Sequence, residues 1–376
     1  MKNKAVIFMM SMVLAMGSAV PAHADTEISE NNDLAENGQG VSEYANGWVT
    51  GDNDTFFYID GIKLYDAGGE IDGYWYYFDA TGAMQKNYWR EKNGEWYYYD
   101  ANGHLVMNQE MDINGRHYKF TENGAIYRGW YTDGTDTYYY ETNGSRSEDT
   151  GKQIDGYWYY FQKDGKILSS GWREKAGNYY YYDENGYLVL NRELDINGKH
   201  YKFTGSGAVY TGWSVGEDGA YYYDQQGSCL TDMGSQIDGY WYYFQKDGKM
   251  LYSDWREKDT GYYYYDDQGH LILNAGMKID GYWYYLDGNG RRYESQFRQK
   301  GADWYYYDEE GHLVLNRDMK IGKYRYIFQN NGAAYRGLKT ENGKVIGFTP
   351  LGRQAFDDGV KDGNDWYYFD AAGNMK

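Results

Sequence analysis

The sequence predicts an all-β protein, a solenoid of about sixteen stacked β-hairpins of 20–21 residues, and three observations carry that prediction. The 376 residues include 49 Tyr, 13 Trp and 50 Gly but only 2 Pro, and the mean hydropathy is −0.89. Aliphatic side chains are too few for a large conventional core, so burial has to come from rings. A chain this rich in aromatics is also a poor candidate for disorder. The block IDGYWYYF starts at Ile71, Ile154 and Ile237, 83 residues apart, and returns as IDGYWYYL at Ile279 after only 42. Aligned on the fourth aromatic position, the chain shows sixteen anchors from Tyr58, Phe78, Tyr99 and Phe120 to Phe348 and Phe369, each step 20 or 21 residues. A fixed period of this length marks a repeat array.

The N-terminus reads as an address. Lys2 and Lys4 precede an apolar run from Ala5 to Val20, and Ala22-His23-Ala24 fits a small-residue cleavage site. Residues 1–24 are therefore expected to be a secretory signal peptide, with an uncleaved anchor as the alternative. No later stretch is long and apolar enough to span a bilayer. Residues 25–46 are polar and acidic without an apolar period and are expected to be a flexible spacer. The repeats occupy residues 47–376.

Loss of the two signal lysines takes the formal charge from −19 to −21. Phosphate backbones would be repelled, so nucleic acid is excluded as a partner. Cys229 is the only cysteine, so no intramolecular disulfide can form.

One repeat reads as a hairpin: Trp96-Tyr97-Tyr98-Tyr99 is a β-forming strand, Asp100-Ala-Asn-Gly103 suits the turn, and His104-Leu-Val-Met resumes the second strand. The same D-x-x-G spacing at Asp79, Asp183, Asp266, Asp287, Asp308 and Asp370 favours turns over calcium ligands, because no closing acidic ligand follows at fixed spacing. Strand alternation places block positions two and four on a constant core face and positions one and three on a variable face. Two residues after the turn glycine stands an apolar side chain, such as Met84, Leu105 or Leu313, and Cys229 falls at that position as a small core filler. Four hairpin types make one 83-residue cycle. Two are missing between Tyr265 and Leu286, which accounts for the step of 42.

A further tryptophan precedes alternate blocks, at Trp48, Trp89, Trp130, Trp172, Trp213 and Trp255, and Phe297 and Leu338 continue the series. The pattern GW followed by G-x-WYY-x-D-x-x-G-x-M resembles the cell-wall-binding repeats of Gram-positive surface proteins, including choline-binding modules and the glucan-binding repeats of glucosyltransferases. Ile113–Trp130 also resembles the repeats of large clostridial toxins. The resemblance covers residues 47–376 and implies a left-handed superhelix with ligand sites between successive hairpins. In choline modules it implies a cage made by the GW tryptophan, the first block aromatic and the third-position aromatic of the next hairpin, which surrounds a quaternary ammonium. Carried onto this chain, only Trp255, Tyr262 and Tyr285 make the full set. Trp89 and Trp96 meet Lys119, and Trp172 and Tyr179 meet Lys202. Trp48, Trp130 and Trp213 lack a first-position ring, and Phe297 and Trp304 meet Ile327. The alternative is that these rings only seal the hairpin junctions.

The histidines follow the repeat, with His104, His270 and His312 at one position and His117 and His200 at another. No metal-ligand spacing, phosphate loop or nucleophile with a credible base is present. The expected function is a non-catalytic, secreted surface protein held non-covalently on the cell wall. It would bind a wall polysaccharide or choline-bearing teichoic acid, without cofactor or metal. An adhesin for host or environmental glycans and an accessory module for a partner hydrolase are the alternatives.

Overall fold

The computed structural model describes residues 46–376, so the expected signal peptide and all but the last residue of the expected spacer lie outside the described residues. Contacts divide the chain into two compact units, one running through Arg173 and including Tyr181–Val189, the other made of Glu174–Tyr180 and Leu190–Lys376. Among the described residues the structure is all β and contains no helix long and apolar enough to cross a membrane. Sixteen separate sheets follow one another, each an antiparallel hairpin of chain neighbours, the first with a short third strand.

The hairpin is built from different residues than the sequence suggested. Tyr88–Lys92 pairs with the aromatic block Glu95–Tyr99, with Tyr88 opposite Tyr99 and Lys92 opposite Glu95. The closing residues are Asn93 and Gly94, with φ of 55° and 80°. Two consecutive positive φ values define the tight turn whose twist matches antiparallel strands, and Asn-Gly or Asp-Gly adopts it with least strain. Asp72-Gly73, Asn114-Gly115, Asp155-Gly156, Asn197-Gly198, Asp238-Gly239 and Asp280-Gly281 repeat it.

The D-x-x-G segment is a connector instead. The Asp100 carboxylate accepts the amides of Asn102 and His104 at 2.8 and 2.9 Å, and the Asp100 carbonyl accepts the Gly103 amide at 3.0 Å. The arm beyond it touches its own hairpin through one bridge, Tyr99 to Leu105. The Leu105 amide then donates to the Trp75 carbonyl of the preceding hairpin at 2.7 Å. The same bond recurs from Met84 to Thr55, Ile126 to Trp96, Met250 to Ala220 and Arg292 to Tyr262. From Met84 to Gln354 the arms thus stitch successive hairpins by backbone hydrogen bonds, which compensates for the marginal stability of an isolated hairpin.

The fourth-position rings form the core: Phe78, Phe120, Phe161, Phe244 and Phe328 are at most 1% exposed. Second-position rings such as Tyr76, Tyr118 and Tyr159 are buried beside them, whereas Trp96 stays exposed. The variable face is less open than alternation implied, because third-position Phe57, Tyr98 and Tyr285 are buried as well.

Cys229 is buried, and burial, with Glu193 and Asp224 nearby, pushes its thiol up to about 11. Little thiolate exists at neutral pH. A thiol-reactive disulfide reagent should label native protein far more slowly than denatured protein at neutral pH. Equal labelling rates would show that the thiol is open.

Candidate functional site

The site grows out of one cross-strand position. In each hairpin a first-strand residue lies opposite the third block residue, and in alternate hairpins it is a large ring: Trp48 opposite Phe57, Trp89 opposite Tyr98, Trp130 opposite Tyr139, Trp213 opposite Tyr222, Trp255 opposite Tyr264 and Phe297 opposite Tyr306. Each ring also crosses to the second block position of the next hairpin. Trp48 lies 4.8 Å from Tyr76, Trp89 5.0 Å from Tyr118, Trp130 4.8 Å from Tyr159, Trp213 4.9 Å from Tyr242, Trp255 4.9 Å from Tyr284 and Phe297 5.0 Å from Tyr326. These tilted and edge-on contacts at van der Waals range bind one hairpin to the next. Trp172 meets Tyr181 at 4.9 Å, and Tyr179 is a half-buried residue of the other unit.

At Trp255 three rings face one cation of the chain itself. The guanidinium of Arg292 lies 5.1 Å from the ring centre of Trp255, 4.2 Å from Tyr262 and 5.8 Å from Tyr284. Arg292 also holds Glu294 at 2.8 Å. Three rings therefore converge on one positive charge, within the reach of cation–π attraction. The third wall is Tyr284, and this corrects the expected set. Tyr285 points the other way, donates its hydroxyl to Asn274 at 2.6 Å, packs on Tyr293 and lies under the Arg298 guanidinium. Adjacent strand residues face opposite sides, so a shift of one position changes the face.

The same three positions recur with no arginine. Trp89 and Tyr118 form two walls beside Trp96, and Ile126 stands where Arg292 stands, its amide bonded to the Trp96 carbonyl at 2.9 Å. Lys119, expected to obstruct this junction, is turned to Glu110 at 3.0 Å and lies 4.0 Å from the Tyr131 ring centre. Burial pushes the Glu110 carboxyl up, but Lys119 and His117 outweigh it and hold it below the usual range. Phe297 lies 6.5 Å from Trp304 and 5.0 Å from Tyr326, with Ala334 in the arginine position. At Trp48, Trp130 and Trp213 the first block position holds Thr55, Thr137 and Ala220, which leaves two walls.

The histidines serve the repeat. His104, His270 and His312 stack on Tyr74, Tyr240 and Tyr282 at 3.9–4.0 Å. His117 bridges Asp112 and Glu110 at 2.7 and 3.0 Å. Asp308, Glu310 and His312 place ligand-type atoms within 4.8 Å of one another. Asp308 there accepts the His312 amide of its connector turn, and the His312 ring bonds the Tyr284 hydroxyl at 2.9 Å.

Comparison with known proteins adds two repeat families. A choline-binding repeat model matches residues 69–109. A cell wall binding repeat model matches residues 152–167, 170–188, 236–250, 278–291 and 360–375. Among solved structures, choline binding protein F of Streptococcus pneumoniae is similar at 22% identity over 73% of this chain and 100% of its own, with a TM-score of 0.37. The modular autolysin LytC of the same organism is similar at 21% identity and a TM-score of 0.29, over 66% of this chain and 52% of its own length. This chain thus spans about half of that autolysin. An alternansucrase in complex with isomaltononaose is 27% identical over 60% of this chain and 18% of its own, with a TM-score of 0.28. No curated protein matches the chain.

Proposed function

We propose, from the membership of these repeats in the cell-wall-binding repeat superfamily, that the protein is a secreted, non-catalytic binder of a choline-bearing cell-wall polymer. The observation that carries this reading is the convergence of Trp255, Tyr262 and Tyr284 on the Arg292 guanidinium, which stands in for the ammonium such a box would hold. Where isoleucine or alanine replaces the arginine, the rings at Trp89, Trp96 and Tyr118, and at Phe297, Trp304 and Tyr326, are left to take a ligand's quaternary ammonium. A quaternary ammonium has no N–H to satisfy and a diffuse charge, so electron-rich faces suffice to hold it. Two boxes on one chain act on one polymer by avidity, and modest single-site affinity is enough for retention at the wall.

Choline should quench or shift the tryptophan fluorescence of the full chain and elute it from a choline-substituted resin. Trp89→Ala and Trp304→Ala should each weaken their own site about 2- to 30-fold, the equivalent of about 0.5–2 kcal/mol for one lost face. Trp255→Ala should leave choline affinity unchanged, because Arg292 already covers that ring. A protein that passes the resin unretarded, with fluorescence indifferent to choline, would sink this reading.

A further inference from the structure

In the hairpins between the tryptophan-bearing ones, the residue opposite the third block position is often glycine. Gly68 faces Tyr77, Gly151 faces Tyr160, Gly234 faces Tyr243 and Gly276 faces Tyr285. The absent indole is replaced by a guanidinium from the following hairpin. Arg90 lies 3.7 Å from the ring centre of Tyr77, Arg173 3.7 Å from Tyr160, Arg256 3.4 Å from Tyr243 and Arg298 3.6 Å from Tyr285. A Cβ on Gly68 would sit 3.5 Å from the Arg90 guanidinium, an ordinary contact distance, so the arginine packs directly over the bare glycine without requiring it.

We infer that these four junctions are a second class of site, one that excludes cations and binds an oxyanion carried beside a sugar ring. Three features support this beyond the stacking itself. Arg128, Arg146, Arg325, Arg336 and Arg353 each hold a carboxylate oxygen at 2.5–3.3 Å. The four stacked arginines hold ring faces instead, in a chain with 56 acidic and 37 basic side chains where carboxylates are plentiful. Each of the four spends one donor on a tyrosine hydroxyl, Arg90 on Tyr99, Arg173 on Tyr160, Arg256 on Tyr265 and Arg298 on Tyr307, and Asp66, Asp149 and Asp232 accept the hydroxyls of Tyr77, Tyr160 and Tyr243; the guanidinium's remaining edge N–H donors form the fork that fits phosphate or carboxylate oxygens. Next to three of them stands a flat apolar platform. Trp158, Trp241 and Trp283 are 43–45% exposed and lie two residues before Tyr160, Tyr243 and Tyr285, on the same strand face. An indole face with a forked cation beside it matches a sugar ring bearing a phosphodiester or a carboxylate. The inference needs no ammonium capture, so it stands or falls separately from the choline reading.

The full chain is titrated with a choline-free poly(N-acetylglucosamine 1-phosphate), with polygalacturonate and with neutral dextran, and with free choline as a separate readout. Binding to the phosphodiester polymer, to the uronate polymer or to both is expected, weakening as salt rises, and the pattern names the source of the oxyanion. Arg173→Gln with Arg256→Gln should weaken that binding about tenfold or more, the scale of one lost charge-assisted bond, and leave the choline response intact. Arg173→Lys with Arg256→Lys keeps the charge but not the fork, and should weaken binding less while preserving the melting temperature. Dextran bound as well as the anionic polymers would overturn the inference. So would arginine variants that melt lower yet bind the anionic polymers unchanged, since the arginines would then only seal the junctions.

Discussion

Arg292→Leu is expected to add one choline site per chain. In the wild-type protein the Arg292 guanidinium covers Trp255, Tyr262 and Tyr284. The equivalent position after other turns holds Leu271, Leu313 or Ile126, so leucine suits the local backbone. The substitution removes a surface ion pair with Glu294, which contributes about 0–1 kcal/mol. It also removes a cation–π stack of about 0.5–2 kcal/mol, partly offset by burying leucine on the same rings. Fold is therefore retained, and the three rings become available to a quaternary ammonium. Calorimetric titration with choline should give one more site than wild type, and adding Trp255→Ala should remove it again. Arg292→Lys should add none, because the protein would still supply its own cation. A folded leucine variant with wild-type stoichiometry would show that these rings are not a cation box.

Alkaline unfolding is the second large effect. Burial raises the phenols of Tyr99, Tyr140, Tyr223, Tyr265 and Tyr307 above their usual value of 10, and raises Tyr159 to about 12. The folded value lies above the unfolded one, so the folded chain keeps protons that the unfolded chain releases. Stability from these groups is intact below pH about 10 and is lost as pH rises toward the folded values. Two pH units on a buried group such as Tyr159 correspond to about 2.7 kcal/mol. The other buried phenols shift in the same direction, so their ionisation adds to the loss of stability. Tyrosinate absorbance and loss of β circular dichroism should therefore rise together in a steep transition above pH 10. Gradual tyrosinate formation with unchanged circular dichroism would mean that these phenols reach solvent in the folded state.

Much of this architecture was legible because the period is a property of one strand read along the chain. The sixteen anchors, the buried fourth-position rings and the exposure of Trp96 all follow from counting. The sequence reading places the closing turn at Asp100–Gly103, whereas Asn93-Gly94 closes the hairpin. The tight Asn-Gly turn is the stronger hairpin signal, and Asp-x-x-Gly is equally good chemistry for a connector. Tyr284 escaped notice as a cage wall because a constant ring was assigned to the core, and it proves to serve both the core and the junction. The glycine–arginine exchange was illegible for a different reason. Gly151 and Tyr160 meet only once the strands are registered, and Arg173 arrives from the next hairpin.

The step of 42 residues bears on how such a chain lengthens or shortens. Large apolar positions alternate with glycine or acidic ones from Trp48 and Gly68 through Trp255 and Gly276 to Leu338 and Gly359. After the first hairpin, the residue following the tryptophan reaches back to the hairpin before it, as Arg90 does to Tyr77, Tyr131 to Lys119 and Arg256 to Tyr243. Excision of one hairpin would set two like positions side by side and leave these reaching side chains without their counterparts. Excision of two preserves the alternation, and Trp255 is still followed by a glycine hairpin with Arg298 laid on Tyr285. Recombination between copies of this gene segment should therefore leave viable products whose lengths differ by even numbers of hairpins, with odd lengths purged as misfolded.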